Sequence, residues 1–88
     1  MKFRKKPVVI EAMHLIDGME HVIIEWAHEG LRPASNSIIT RRPGGLDVRT
    51  LEGPLIACYG DWIIKGIMGE FYPIKRDVFE ATYEKVTE

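Results

Sequence analysis

The chain has 88 residues, 45% apolar and 28% charged, with a formal net charge of -1, which fits one folded domain around one core and excludes a disordered segment. Such a balance argues against a sequence-independent grip on nucleic acid, which normally needs a clear excess of Lys and Arg. No apolar run approaches the roughly 18 residues of a membrane span, no signal-peptide core is visible, and Cys58 has no second cysteine to pair with, a usage that suits a reducing cytoplasm.

Lys2, Arg4, Lys5 and Lys6 make residues 1–6 a basic, flexible N-terminal arm ahead of a single domain spanning 1–88. The arm reads either as a solvated terminus or as a phosphate-binding extension. Pro7 to Met13 begins with β-branched residues and partly alternates, as a first strand does. Asp17 and Glu20 have the spacing of a reciprocal N-terminal cap. Met19, Val22, Ile23, Trp26 and Ala27 then form one apolar stripe, which predicts an amphipathic helix over about 18–29, stopped by Gly30. With no second long helix to receive it, that stripe must cover a sheet.

Arg32 to Asn36 reads as a loop, and Ser37 to Arg42 with Leu46 to Leu51 as a hairpin around Pro43-Gly44-Gly45. Leu55 to Cys58 is expected to be a short strand or an extended crossing before a turn at Tyr59-Gly60-Asp61. Trp62 to Ile67 and Glu70 to Ile74 form a second hairpin around Met68-Gly69, with Pro73 placing its second strand at a sheet edge. The last segment carries two signals: Asp77 and Glu80 repeat the capping spacing, whereas Phe79, Ala81 and Tyr83 alternate with polar residues. One helical turn at about Asp77 to Glu80, followed by a strand from Ala81 to Val86, accommodates both. The expected class is α+β, with the helix packed on a small, mostly antiparallel sheet or partly open barrel of five to six short strands.

No complete catalytic signature is visible. His14, His21 and His28 recur every seventh residue, not at the four-residue spacing that places two ligands on one helical face, so no metal site and no cofactor are expected. Cys58 reads as a buried structural thiol. Asp61 and Glu70 flank a strand and suggest an acid/base pair less readily than solvated turn residues. Arg41 and Arg42 beside a glycine-bearing turn have the chemistry to hold a phosphate or carboxylate. Trp62, Phe71 and Tyr72 either build the core or stack a base, and Phe71 and Tyr72, adjacent in a strand, cannot both face the same side. Arg41, Arg42, Trp62, Lys65 and Tyr72 are therefore the candidate ligand-binding residues.

The opening Lys2-Phe3-Arg4-Lys5-Lys6-Pro7-Val8-Val9-Ile10-Glu11-Ala12, the helical Trp26, and Gly60-Asp61-Trp62-Ile63-Ile64-Lys65-Gly66-Ile67-Met68-Gly69-Glu70-Phe71-Tyr72-Pro73-Ile74-Lys75 running into Phe79-Glu80-Ala81-Thr82-Tyr83-Glu84 together resemble a family of short proteins encoded by tailed bacteriophages and prophages. The resemblance implies a phage or prophage origin and a host bacterial cytoplasm as the setting. It carries over no catalytic residue. The expectation is a non-enzymatic binding protein whose partner is a small anionic or nucleotide-like ligand or a host protein. The alternative is a structural protein that self-associates or contacts the virion.

Overall fold

The computed structural model describes residues 1–4, 6–28 and 38–86. The Gly30 stop, the Arg32 to Asn36 loop and the ends of the elements expected at Glu29 and Ser37 lie outside them. The element order is β1 (Glu11–His14), α1 (Glu20–Ala27), β2 (Ile39–Arg42), β3 (Gly45–Thr50), β4 (Gly53–Cys58), β5 (Trp62–Lys65), β6 (Phe71–Ile74) and α2 (Arg76–Thr82). The strands form two antiparallel three-stranded sheets, ordered β1-β5-β6 and β2-β3-β4. The α+β class therefore stands, but two separate sheets replace the single sheet or barrel expected from sequence.

The division follows from the turns. Pro43-Gly44 closes β2 onto β3 with Arg42 opposite Gly45, and Leu51-Glu52 closes β3 onto β4 with Thr50 opposite Gly53. At the first of these turns Gly44 takes φ +83°, a conformation that a side chain disfavours. Two-residue turns this tight build one contiguous meander. β5 instead pairs with β1 and β6, so the chain changes sheets at the turn around Gly60. β4 extends through Pro54, well beyond the short segment expected. Arg49 donates its amide to Ile38 on the β2 side, which turns the Arg49–Pro54 pair into one without ladder bonds, where proline loses nothing.

Strand alternation assigns the faces. On the β2-β3-β4 sheet Ile39, Leu46, Val48 and Ala57 are buried in one cluster with Ile63, Phe71, Leu15, Ile23 and Ala27. Thr40, Asp47, Arg49 and Ile56 lie on the opposite face, away from this cluster. α1 contributes Ile23 and Ala27 from its apolar stripe, as the spacing predicts. Its start differs: Met19 is the N-cap and makes no side-chain capping bond, and in place of the expected Asp17–Glu20 box Glu20 Oε1 accepts the Gly18 N–H at 2.8 Å. His28 closes the other end. Its Nδ1 lies 2.7 Å from the Ile24 carbonyl, and its Nε2 accepts the Ile38 amide at 2.9 Å, tying α1 to the entry of β2.

The second face of the β1-β5-β6 sheet carries Ala12, His14, Trp62, Ile64, Tyr72 and Ile74. Ile64 is fully buried there, because α2 and the residues after it lie over this face. The expected strand from Ala81 to Val86 is not formed: Ala81 and Thr82 belong to α2, and 83–86 have no regular structure. Helix wins because Phe79 and Tyr83, four residues apart, stack on each other at 5.2 Å, and Arg76 and Glu80 pair at 3.2 Å with the same spacing. Lys75, not Asp77, is the N-cap.

Gly45 marks a close approach of strands: a Cβ there would run into the Ala57 carbonyl oxygen of β4. Gly45→Ala is expected to destabilise the fold by about 1–3 kcal/mol, read as a lower urea midpoint with an unchanged slope. An unaltered midpoint would show that the β3-β4 pair relaxes freely.

Candidate functional site

The five residues singled out from sequence do not converge. Arg41 and Arg42 are neighbours on β2 and point to opposite faces, so their guanidinium groups cannot close on one anion. Arg42 is paired with Asp47 at 3.1 Å. Arg41 lies near the start of α1, where its charge acts on Glu20 and Tyr59. Lys65 sits at the far end of β5 from Trp62 and on the opposite face, between Glu11 and Phe71 in register. Only Trp62 and Tyr72 share a face.

Trp62 is the centre of an aromatic stack. His14, its cross-strand partner, lies parallel to it with centroids 4.5 Å apart and planes 2° apart. Phe79 of α2 lies parallel at 4.1 Å and 8°. Two rings at such separations cannot share one face of an indole, so both faces of Trp62 are taken and neither receives a base. Trp62 Nε1 is buried with no hydrogen-bond partner among the described residues. His14 Nε2 lies 3.0 Å from the Gly60 carbonyl, which holds its ring in the stack. The Tyr72 hydroxyl is held above its ordinary pKa, first by burial and then by its hydrogen bond with Tyr83.

Beside this stack runs a concavity of about 1090 Å³ whose lining includes residues 7–13 and 82–86. Its floor is the edge of β1. Trp26, reaching from α1, flanks that edge on the core side, and Trp62 with Phe79 flanks it on the other. The Trp26 indole is fixed by an edge-on contact with Phe71 at 5.2 Å and by its Nε1 donating to Glu11 Oε2 at 3.3 Å. Val9 and Val86 are exposed along the groove. Its volume is at the upper limit for a single small-molecule pocket, and its long, two-walled form suits an extended chain.

Another cavity, about 450 Å³, is polar and lined by Tyr59, Asp61, Lys75 and Glu80 among others. Asp61 is buried. It accepts the Cys58 amide at 3.0 Å and pairs with Lys75 at 3.4 Å, so its carboxylate holds the turn into β5 against the end of β6. Glu70 lies beyond the other end of β5 and accepts the Met68 amide at 3.0 Å; the two carboxylates do not face each other. Cys58 is exposed, not buried, because it points to the solvent face of β4. His14, His21 and His28 are likewise separate, and no group of three or more His, Cys, Asp or Glu side chains gathers as a metal site among the described residues. No helix among them is long and apolar enough to cross a membrane.

One bond had no sequence signal. Tyr59 donates to Glu20 Oε2 at 2.6 Å across 39 positions of chain. That bond, its largest influence, holds Glu20 below the usual carboxylate range and raises Tyr59 above the usual phenol range. The depressed carboxylate contributes stability at neutral pH that is lost as pH falls through its lowered pKa. The raised phenol contributes stability that is complete below about pH 10 and lost as pH climbs through its raised value. An NMR titration of the Tyr59 ring should show this upward shift, and Glu20→Gln should return it towards the ordinary value; an unmoved titration would remove the bond as its cause.

Trp62→Phe keeps a ring between His14 and Phe79 and deletes the unpaired N–H, so gained and lost terms offset and the change should stay within about 1 kcal/mol. Trp62→Ala should cost about 3–5 kcal/mol. Equal losses in urea unfolding would mean that the stack does not hold α2.

Comparison with protein-family models, with curated proteins and with solved structures finds no match to this chain.

Proposed function

We propose that the chain is a non-enzymatic binding module of phage or prophage origin that captures a protein partner in the host bacterial cytoplasm. The observation that carries this reading is the groove along β1, with aromatic walls on both sides and exposed valines at its rim. Apolar concavities of this kind on small domains are recognition surfaces more often than incidental relief. The phage setting rests on the likeness of both ends of the chain to phage proteins, and a reducing cytoplasm agrees with an exposed, unpaired Cys58.

Of the two kinds of partner considered, a host protein is favoured over a nucleotide-like ligand. A nucleotide would need a cation and an open aromatic face in one place. Arg41 and Arg42 stand on the other sheet, and Trp62 is enclosed by His14 and Phe79. Self-association through the edge near Pro73 draws less support, because β6 lies against β3 and β4.

Val9 lines the groove and is 76% exposed, so Val9→Asp alters the surface without touching the core. A host protein captured from phage-infected cells, identified and purified, should bind the wild-type chain and bind Val9→Asp at least about tenfold more weakly, a loss of roughly 1.4 kcal/mol. Equal binding to both, or stabilisation by nucleotides in a thermal shift with no protein bound, would overturn the reading.

A further inference from the structure

Each sheet has two edges, and two of the four carry a proline at an outward position. On β6, Gly66 N–H donates to Glu70 O at 2.7 Å, and the alternation of an antiparallel ladder then turns Phe71 and Pro73 outward. Proline offers no donor there, and β6 lies against the other sheet. On β4 the outward residues are Pro54, Ile56 and Cys58; the first has no N–H and the last donates its N–H to Asp61. β2 lies against α1.

β1 differs. Leu15 N–H donates to Asp61 O at 2.8 Å, so the ladder with β5 runs through Met13 and Glu11 while Ala12 and His14 turn their amides and carbonyls outward. Among the described residues no backbone bond engages these outward groups. Ile10 precedes them in the same alternation. Ile10 and Ala12 of this open edge line the groove, with Trp26 on one side and Trp62 and Phe79 on the other.

The geometry points to strand addition: an extended peptide segment pairs antiparallel with β1 through Ile10, Ala12 and His14, alternates its apolar side chains between the two aromatic walls, and carries acidic residues at its C-terminal end. This inference rests on the binding-module reading and specifies its partner. The antiparallel direction brings the partner's C-terminal end to the start of β1, where the segment bearing Lys2, Arg4 and Lys6 leaves, so acidic residues there are the complementary charge. Backbone bonds supply affinity in such additions and alternate side chains supply selectivity. A single bare strand fits better than a second copy of this chain, whose β1 edge brings its own two walls and meets these before the edges pair.

The test uses the full chain labelled with ¹⁵N and an acetylated peptide of alternating valine and threonine ending in three aspartates. Amide exchange at Ala12 and His14 should slow by about tenfold or more on binding, with Glu11 and Met13 unchanged. The same peptide ending in three lysines should bind about tenfold more weakly. Ala12→Pro removes an outward donor, as Pro54 and Pro73 do on their own edges, and should abolish the protection. If that variant fails to fold, a chain with Lys2→Glu, Arg4→Glu and Lys6→Glu should reverse the preference between the two peptides. Equal affinity for both peptides, protection on β4 or β6 instead, or protection of Ala12 that grows with the concentration of the chain alone would each overturn the inference. If a purified host protein binds and is weakened by Val9→Asp while Ala12 and His14 stay unprotected, strand addition fails and the binding module stands; if no host protein binds, the broader reading fails.

Discussion

The stack of His14, Trp62 and Phe79 is the contact on which the rest of the arrangement depends. It joins the end of β1, the start of β5 and the middle of α2 through one set of parallel rings. Without it the outer face of the β1-β5-β6 sheet would expose Ile64, which is fully buried, and the last helix would have little else to hold it. α2 has no buried residue of its own, so aromatic contact and not enclosure keeps it in place. The cover it provides makes this sheet a middle layer, with α1 and the other sheet on one side and α2 on the other. In a chain this short, two sparsely packed layers gain most from sharing one apolar sheet between them.

Asp61 performs the complementary task for the backbone. The chain must leave β4, change sheets and enter β5 within three residues, and such a crossing strands amides that no ladder can serve. Asp61 takes the Cys58 amide with its side chain, while its own N–H reaches back to the Cys58 carbonyl at 2.9 Å. Gly60 N–H donates to the Leu15 carbonyl and Leu15 N–H to the Asp61 carbonyl, so the crossing is sewn to the end of β1. Lys75 supplies the charge that lets the carboxylate stay buried. The same turn thereby positions His14 and Trp62 side by side.

Much of the fold was legible because its signals are local. The α1 stripe and the Pro43-Gly44 turn depend on residues within a few positions of one another, and Pro73 does sit on an edge strand. The end of the chain departs from the expected strand because Phe79, Ala81 and Tyr83 fit period two, whereas Phe79 and Tyr83 also fit the helical spacing that the stack of Tyr83 on Phe79 and of Phe79 on Trp62 selects. Pro54 lies within β4 as a tolerated outward residue, so the strand starts earlier than the expected Leu55. The candidate site was less legible. Arg41 and Arg42 are adjacent, and in a strand adjacency separates side chains to opposite faces; the argument that divides Phe71 from Tyr72 applies to them equally. For Trp62 the choice between core and ligand roles turns on neighbours from β1 and α2, which cover both faces of its ring. The groove was invisible, since its walls come from 7–13, Trp26, Trp62, Phe79 and 82–86, and no local pattern joins them.

The distribution of proline gives the groove its meaning. A small two-sheet domain has four edges for its size and therefore a high exposure to unwanted pairing. Pro54 and Pro73 each stand at an outward position of an edge strand, where they remove a donor without weakening the ladder within. Pro7, by contrast, precedes β1 and leaves its outward positions at Ile10, Ala12 and His14 intact. Protection of the β1 edge comes instead from the walls beside it, and walls discriminate by shape in a way that a missing amide does not. In the strand-addition proposal they keep out another folded sheet edge and leave room for a single extended chain, so the same feature that guards the domain against itself is the one that admits a partner.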